Sequence, residues 1–244
     1  MIVDSGIAPL VAGVFAGAVL GFVARRQHFC TMGSLERHWY AGDSSGLRTW
    51  ALAILSAASA VIAEGEVWQL AAAKQMTTSE ADYLAVIDAK TAALFSAATE
   101  VGPVIAGKGE EERAAMRDYG RSLGLAFQLV DDVLDYRGSL ADLGKNTGDD
   151  FREGKITLPV ILAYAQGDAA EKAFWQSAME SGDNDEAALS RAKELLQRHG
   201  ALEATIERAR DFGEEAYRAA ATLPPSPARE AMLGVVDFCV DRLN

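Results

Sequence analysis

The chain has 244 residues, half of them hydrophobic, with 23 basic against 35 acidic residues and a net charge of −12. That length can bury a large core as one or two domains, and the acidic balance argues against a nucleic-acid partner. Cys30 and Cys239 lie far apart with no metal-ligand spacing, so there is no disulfide framework to read and a reducing compartment is acceptable. Strand signals are scarce and alanine is abundant, which predicts an all-α fold.

Residues 7–24 read IAPLVAGVFAGAVLGFVA, an uncharged run of 18 that is just long enough to span a bilayer. Gly13, Gly17 and Gly21 give it the small-residue face through which membrane helices approach, and Arg25 and Arg26 then keep the downstream chain on the cytoplasmic side. A buried soluble helix is the alternative; a signal peptide fits less well, because the basic residues follow the run. The expected location is cytoplasmic, with residues 7–24 available as an anchor to the inner membrane. His28 and His38 have no Cys or His partner at zinc spacing. Residues 52–63 are apolar but too short to span a membrane, and they lead straight into Gly65 and Glu66.

From Thr77 the pattern is helix after helix. Thr77, Thr78 and Ser79, followed by Glu80 and Asp82, give a capping signal. Leu84, Ile87, Thr91, Leu94, Ala98 and Val101 then make a core stripe that Gly102 and Pro103 end. Taken alone, Lys90 in this helix reads as a surface residue. Glu110, Glu111 and Glu112 open the next helix with favourable negative charge.

That next helix organises the chain. Met116, Tyr119, Leu123, Phe127, Val130 and Leu134 recur at steps of three and four, a core stripe. Gly120, Gly124, Gln128, Asp131 and Asp135 form a second stripe, whose glycines leave room for a substrate or a neighbouring helix. Asp132 lies to one side. Three aspartates in five residues of an apolar helix repel one another and resist burial, which points to a bound divalent cation. Asp149 and Asp150 follow in a glycine-punctuated loop between Lys145 and Lys155, and the lysines suggest an anionic ligand beside the metal. An EF-hand fails, because Tyr136 stands where its glycine is needed. A P-loop fails too, since five residues separate Gly148 from Gly154 and Ile156 follows Lys155. The plain alternative is a solvated acidic helix end with a charged loop. Beyond Pro159 the pattern predicts helices at roughly 158–166, 169–181, 185–199, 200–222 and 226–242, with His199 as a C-terminal cap residue.

The segments FQLVDDVLDY, LGKNTGDD and EGKITLP together resemble the second aspartate-rich motif and following loop of the trans-polyprenyl diphosphate synthases, with the likeness running from about Leu52 to the C-terminus. This all-helical family includes farnesyl, geranylgeranyl, octaprenyl and decaprenyl diphosphate synthases. The resemblance implies an isoprenoid-synthase-type helical bundle that condenses isopentenyl diphosphate with an allylic diphosphate, as an octaprenyl or decaprenyl type of enzyme. It implies Mg2+ held by Asp131 and Asp135 with Asp132 close by, and a diphosphate contacted by Lys90, Lys145 and Lys155. Thr91 and Gln128 would steady the cation and the deprotonation, and Asp149 would support the loop.

The family also carries a first DDxxD motif, and no second DDxxD occurs in this chain, whose first 50 residues hold only Asp4 and Asp43. The expectation is an incomplete bundle lacking its N-terminal half, working as a homodimer or as a heteromer with a subunit that supplies the other half-site. Residues 21–50, with Phe29 and Cys30, resemble instead a fragment of the bacterial transporters of thiosulfate-like sulfur compounds. Two domains are therefore expected, 1–50 and 51–244, joined between about Leu47 and Ile54. Two alternatives stand beside the enzyme: a non-catalytic membrane-tethered subunit that binds metal and diphosphate, and a transporter remnant with a helical passenger.

Overall fold

The computed structural model describes residues 45–137 and 147–242. The apolar run 7–24, Cys30, His28, His38 and Lys145 lie outside the described residues. The chain divides into two units, Met1–Ile54 and Leu55–Asn244, and the described buried hydrophobic residues all lie in the second. Among the described residues every regular element is helical, and no helix is long and apolar enough to cross a membrane.

Residues 52–63 and the Gly65-Glu66 pair belong to one long helix, α1 (Ser45–Ala72). The capping signal after it is realised in full. Ser79 caps α2 (Glu80–Ile87) by accepting from the Asp82 amide, while the Asp82 carboxylate accepts from the Ser79 amide. Where one continuous helix was expected next, a π-helical turn (Asp88–Ala92) joins α2 to α3 (Ala93–Ile105). The wider turn rotates everything after it relative to the 3.6-residue repeat. Leu94 is accordingly 44 % exposed and Ala98 exposed, although both sit on the expected core stripe. Ala89, Ala92, Ala97 and Val104 take their place in the core. Pro103 lies inside α3, so the helix ends three residues later than its Gly-Pro pair suggests.

The aspartate-bearing helix is α4 (Glu110–Arg137), with three glutamates in its first turn and Arg137 in its last, both favourable to the helix dipole. After it come the short α5 (Asp149–Arg152), α6 (Leu158–Gln166), α7 (Ala169–Gln176) with a π-helical extension (Ser177–Ser181), α8 (Glu186–Arg198), α9 (Ala201–Ala221) and α10 (Pro227–Asp241). Their ends follow the sequence. Asp168, Asp185 and Ser226 are side-chain N-caps, while Gly182 and Gly200 turn the chain with φ of 82° and 59°. His199 is the C-cap of α8, and its Nε2 lies 2.8 Å from Glu171 Oε2.

Helix α4 is the centre of the bundle, packed chiefly against α9 and α3. Its expected stripe is only part of what it buries. Tyr119, Leu123 and Val130 are buried, but Leu125, Ala126, Leu129, Val133 and Tyr136 on the other side are equally so. A helix surrounded on several sides has no solvent stripe to betray its inner face. The two glycines serve helix contact. A Cβ on Gly120 would lie 2.2 Å from Thr99 Oγ1, and one on Gly124 would lie 2.7 Å from Ala92 Cα. This close approach presses the π-helical turn, and with it Lys90 and Thr91, against α4.

Candidate functional site

The last turns of α1, the π-helical turn, the C-terminal half of α4 and the loop from Asp150 to Thr157 enclose one polar pocket. Its wall includes Gln69, Lys90, Gln128, Asp131, Asp132, Asp150, Lys155 and Thr157. The mainchain holds this enclosure together where α1 ends: the Lys74 amide donates to the Gly154 carbonyl at 3.2 Å, and the Met76 amide to Glu180 Oε1 at 3.0 Å.

The three aspartates of α4 have three different environments. Asp131 is exposed on the pocket and has no donor bonded to it among the described residues. Asp132 is 2 % exposed. One of its oxygens accepts from the hydroxyl of Tyr83, the other from Gln128 Nε2 at 2.9 Å. Burial pushes its carboxyl up to about 7, against the lowering effect of the Tyr83 bond, and the nearby charge of Asp150 adds to the rise. Asp135 turns both oxygens to the backbone, accepting from the Asp149 and Asp150 amides at 3.2 Å each. Its carbonyl accepts from Gly148 at 2.8 Å, where φ is 84° and glycine is therefore favoured. Asp135 thus fixes the start of α5, and burial raises its pKa.

Of the loop pair, Asp150 lines the pocket and Asp149 is exposed, bonded to Arg152 at 3.1 Å. Asp150 Oδ1 accepts from Lys155 Nζ at 2.8 Å, and Glu153 also lies 2.8 Å from that ammonium. Burial opposes the Lys155 charge, but these two bonds outweigh it and hold the lysine above its ordinary range. Lys90 reaches the same pocket from the π-helical turn. Gln69 Oε1 at 2.6 Å and Glu66 Oε1 at 3.1 Å steer it there. Beside it, the Thr91 hydroxyl donates to Gln128 Oε1 at 2.9 Å.

The structure therefore brings Lys90, Gln128, Asp131, Asp132 and Lys155 to one cavity, with Thr91 bonded to Gln128 and Asp135 bracing the loop from behind. Sequence reasoning missed Gln69 and Tyr83, and of the acidic pair it gave a role to Asp149 where the pocket is lined by Asp150. Tyr83 carries a usable signal, because a tyrosine two turns before Lys90 on a buried face needs a partner for its hydroxyl.

Asp131, Asp132 and Asp150 offer only hard oxygen donors, and the charges of Asp150 and Asp131 add to the rise that burial imposes on the Asp132 carboxyl. Among the described residues no group of three or more acidic, His or Cys side chains is placed to hold a metal ion by itself. Oxygen donors in an open arrangement fit magnesium, which keeps waters and takes substrate phosphate oxygens alongside one or two carboxylates.

Comparison with known proteins gives this pocket a context. The chain is 42 % identical over 191 residues to octaprenyl diphosphate synthase of Haemophilus influenzae, covering 78 % of this chain and 58 % of that one. The decaprenyl diphosphate synthase of Rhodobacter capsulatus superposes with a TM-score of 0.77 at 50 % identity, over 82 % of this chain and 62 % of that structure. A polyprenyl synthase of Caulobacter crescentus, solved with calcium and isoprenyl diphosphate, gives a TM-score of 0.76 at 50 % identity, over 79 % and 58 %. The chain thus spans about three-fifths of the length of the proteins it matches. The polyprenyl synthetase family model matches residues 24–196. Most of the segment 21–50 falls within that match, so the likeness to a sulfur-compound transporter gives way there. The chain belongs to the polyprenyl synthetase family.

Proposed function

We propose that the chain transfers prenyl groups, joining isopentenyl diphosphate to an allylic diphosphate to lengthen an isoprenoid, with a product of the octaprenyl or decaprenyl class. The observation that carries this reading is the meeting of three carboxylates with Lys90 and Lys155 across a single pocket that also holds Gln128. Ionisation of an allylic diphosphate concentrates negative charge on the departing pyrophosphate. Positioned lysines stabilise that charge as it develops, which is where electrostatic catalysis is strongest.

Lys90 and Lys155 would bind the diphosphate, and Lys145 would join them from the loop. Glu66 and Gln69 hold Lys90 ready, as Asp150 and Glu153 hold Lys155. Asp131 is the carboxylate open to magnesium, with Asp132, Asp135 and Asp150 around it. When bound, the ion neutralises the diphosphate and assists its departure as a Lewis acid. Thr91 and Gln128 would steady the allylic cation and the loss of the proton after the alkene of isopentenyl diphosphate attacks. A second copy of the chain, or a related subunit, completes the site for isopentenyl diphosphate. The relative from Caulobacter crescentus, with calcium and isoprenyl diphosphate bound, supports this class of ligand.

The test is prenyl transfer by the purified chain, given radiolabelled isopentenyl diphosphate, farnesyl diphosphate and magnesium. Labelled product that Asp131→Ala abolishes supports the reading. No product from the chain, alone or mixed with a full-length family member, overturns it.

A further inference from the structure

Tyr83 stands on α2 at the wall of the pocket, and its hydroxyl ends a continuous chain of hydrogen bonds that begins at Thr91. The Thr91 hydroxyl donates to Gln128 Oε1 at 2.9 Å, Gln128 Nε2 donates to one oxygen of Asp132 at 2.9 Å, and the Tyr83 hydroxyl donates to the other. Tyr83 is 5 % exposed and Asp132 2 %, so water has little access to this junction. The directions are set by chemistry. An amide has its donor on nitrogen and its acceptor on oxygen, so with Gln128 Nε2 bonded to Asp132 its carbonyl faces Thr91. Thr91 then spends its proton on Gln128 and keeps its lone pairs free.

We propose that Tyr83 is a positioning residue, acting through Asp132 to fix the amide of Gln128 and, through it, the orientation of the Thr91 hydroxyl. This rests on the prenyl-transfer reading for its consequence in catalysis, while the coupling itself stands on geometry. Without the Tyr83 hydroxyl, the second oxygen of Asp132 is buried with no donor. A buried acceptor left unpaired recruits another donor or turns toward one, and the Gln128 amide is the donor already bonded to this carboxylate. The carboxylate rotates, Gln128 loses its single orientation, and Thr91 loses the acceptor for its proton. Diphosphate binding at Lys90 and Lys155 involves none of these bonds.

The experiment compares wild type with Tyr83→Phe, which keeps the ring and removes only the hydroxyl. In protein labelled with 15N-glutamine the side-chain amide of Gln128 is one of seven, and it is assigned as the pair missing from Gln128→Leu. The expected result is a shifted or broadened Gln128 amide in Tyr83→Phe. In turnover, kcat falls about tenfold with KM for both diphosphates unchanged, and Tyr83→Phe has no further effect in a Gln128→Leu background. An unmoved Gln128 amide, or an equal loss of kcat in the Gln128→Leu background, overturns the proposal. If the wild type yields no product, the prenyl-transfer reading fails and the amide spectrum alone decides the coupling. Should Tyr83→Phe not fold, Asp132→Asn answers the same question, because Tyr83 then holds the new amide's oxygen and its nitrogen faces Gln128. The Gln128 amide must reverse and its resonances move; resonances left in place overturn the coupling.

Discussion

Gly124 is where a close helix contact of the bundle and its candidate active site meet, and Gly124→Ala tests both. A Cβ there would lie 2.7 Å from Ala92 Cα, 3.1 Å from Ala92 Cβ and 3.2 Å from Phe95 Cβ. Carbon atoms rest at roughly 3.5–4.0 Å, so α4 and the π-helical turn must separate by about 1 Å. Overfilling a packed contact costs about 1–3 kcal/mol. The contact here is with backbone that cannot rotate aside, which places the cost in the upper half of that range. Alanine in place of glycine in a helix returns about 1 kcal/mol, leaving a net loss of about 1–2 kcal/mol. For a chain of this size that lowers the melting temperature at about 2–4 °C per kcal/mol. Gly234→Ala is the matched control, since a Cβ at that position in α10 meets nothing within 4 Å. It should gain about 0.5–1 kcal/mol and melt later. Thermal and urea unfolding of the two variants beside wild type is the assay. If Gly124→Ala is stabilised as much as Gly234→Ala, the close approach of α4 to the π-helical turn is wrong.

Three further predictions follow from side chains at fixed places. Trp175 is fully buried and packs edge-on against Phe151, with ring centroids 6.4 Å apart; Trp175→Ala should lose about 3–5 kcal/mol in urea unfolding, and a loss below 1 kcal/mol would contradict its place in the core. The Glu171 carboxyl is held below its ordinary range, chiefly by its hydrogen bond with His199. A depressed carboxylate adds stability above its unfolded pKa of 4.5 and loses it as pH falls through the lower folded value; the gap in melting temperature between wild type and Glu171→Gln should therefore close below pH 4.5, and a gap that widens in acid would refute the assignment. Replacement of Asp150 by Asn removes one of the two carboxylates 2.8 Å from Lys155 and leaves Glu153 to draw the ammonium toward itself, so diphosphate affinity should fall, as judged by calorimetry, at unchanged fold by circular dichroism.

The helix ends after Pro159 were legible because they are written in local chemistry: Asp168, Asp185 and Ser226 as caps, Gly182 and Gly200 as left-handed turns. The carboxylates and lysines of the site were legible by residue type, since charge on an apolar helix has few other uses. What the sequence could not show was the π-helical turn at Asp88–Ala92. No residue pattern marks it; packing of Gly124 onto Ala92 and Gly65 onto the Lys90 amide stabilises it. Its effect was to misplace Leu94 and Ala98 on a core face. Asp149 and Asp150 are equivalent as letters. Only the two amides capped by Asp135 decide that Asp150 points at Lys155. Tyr83 escaped for a related reason, because its partner is 49 residues away in the chain.

The central claim is that this pocket binds a diphosphate through magnesium and two held lysines. Calorimetric titration with farnesyl thiodiphosphate, an unreactive allylic analogue, tests it most directly, using the full chain with and without magnesium and with Lys155→Ala beside it. Binding that needs magnesium and weakens at least tenfold in Lys155→Ala is the predicted result. Equal affinity without the metal, or in the variant, would place the diphosphate somewhere else and contradict the account.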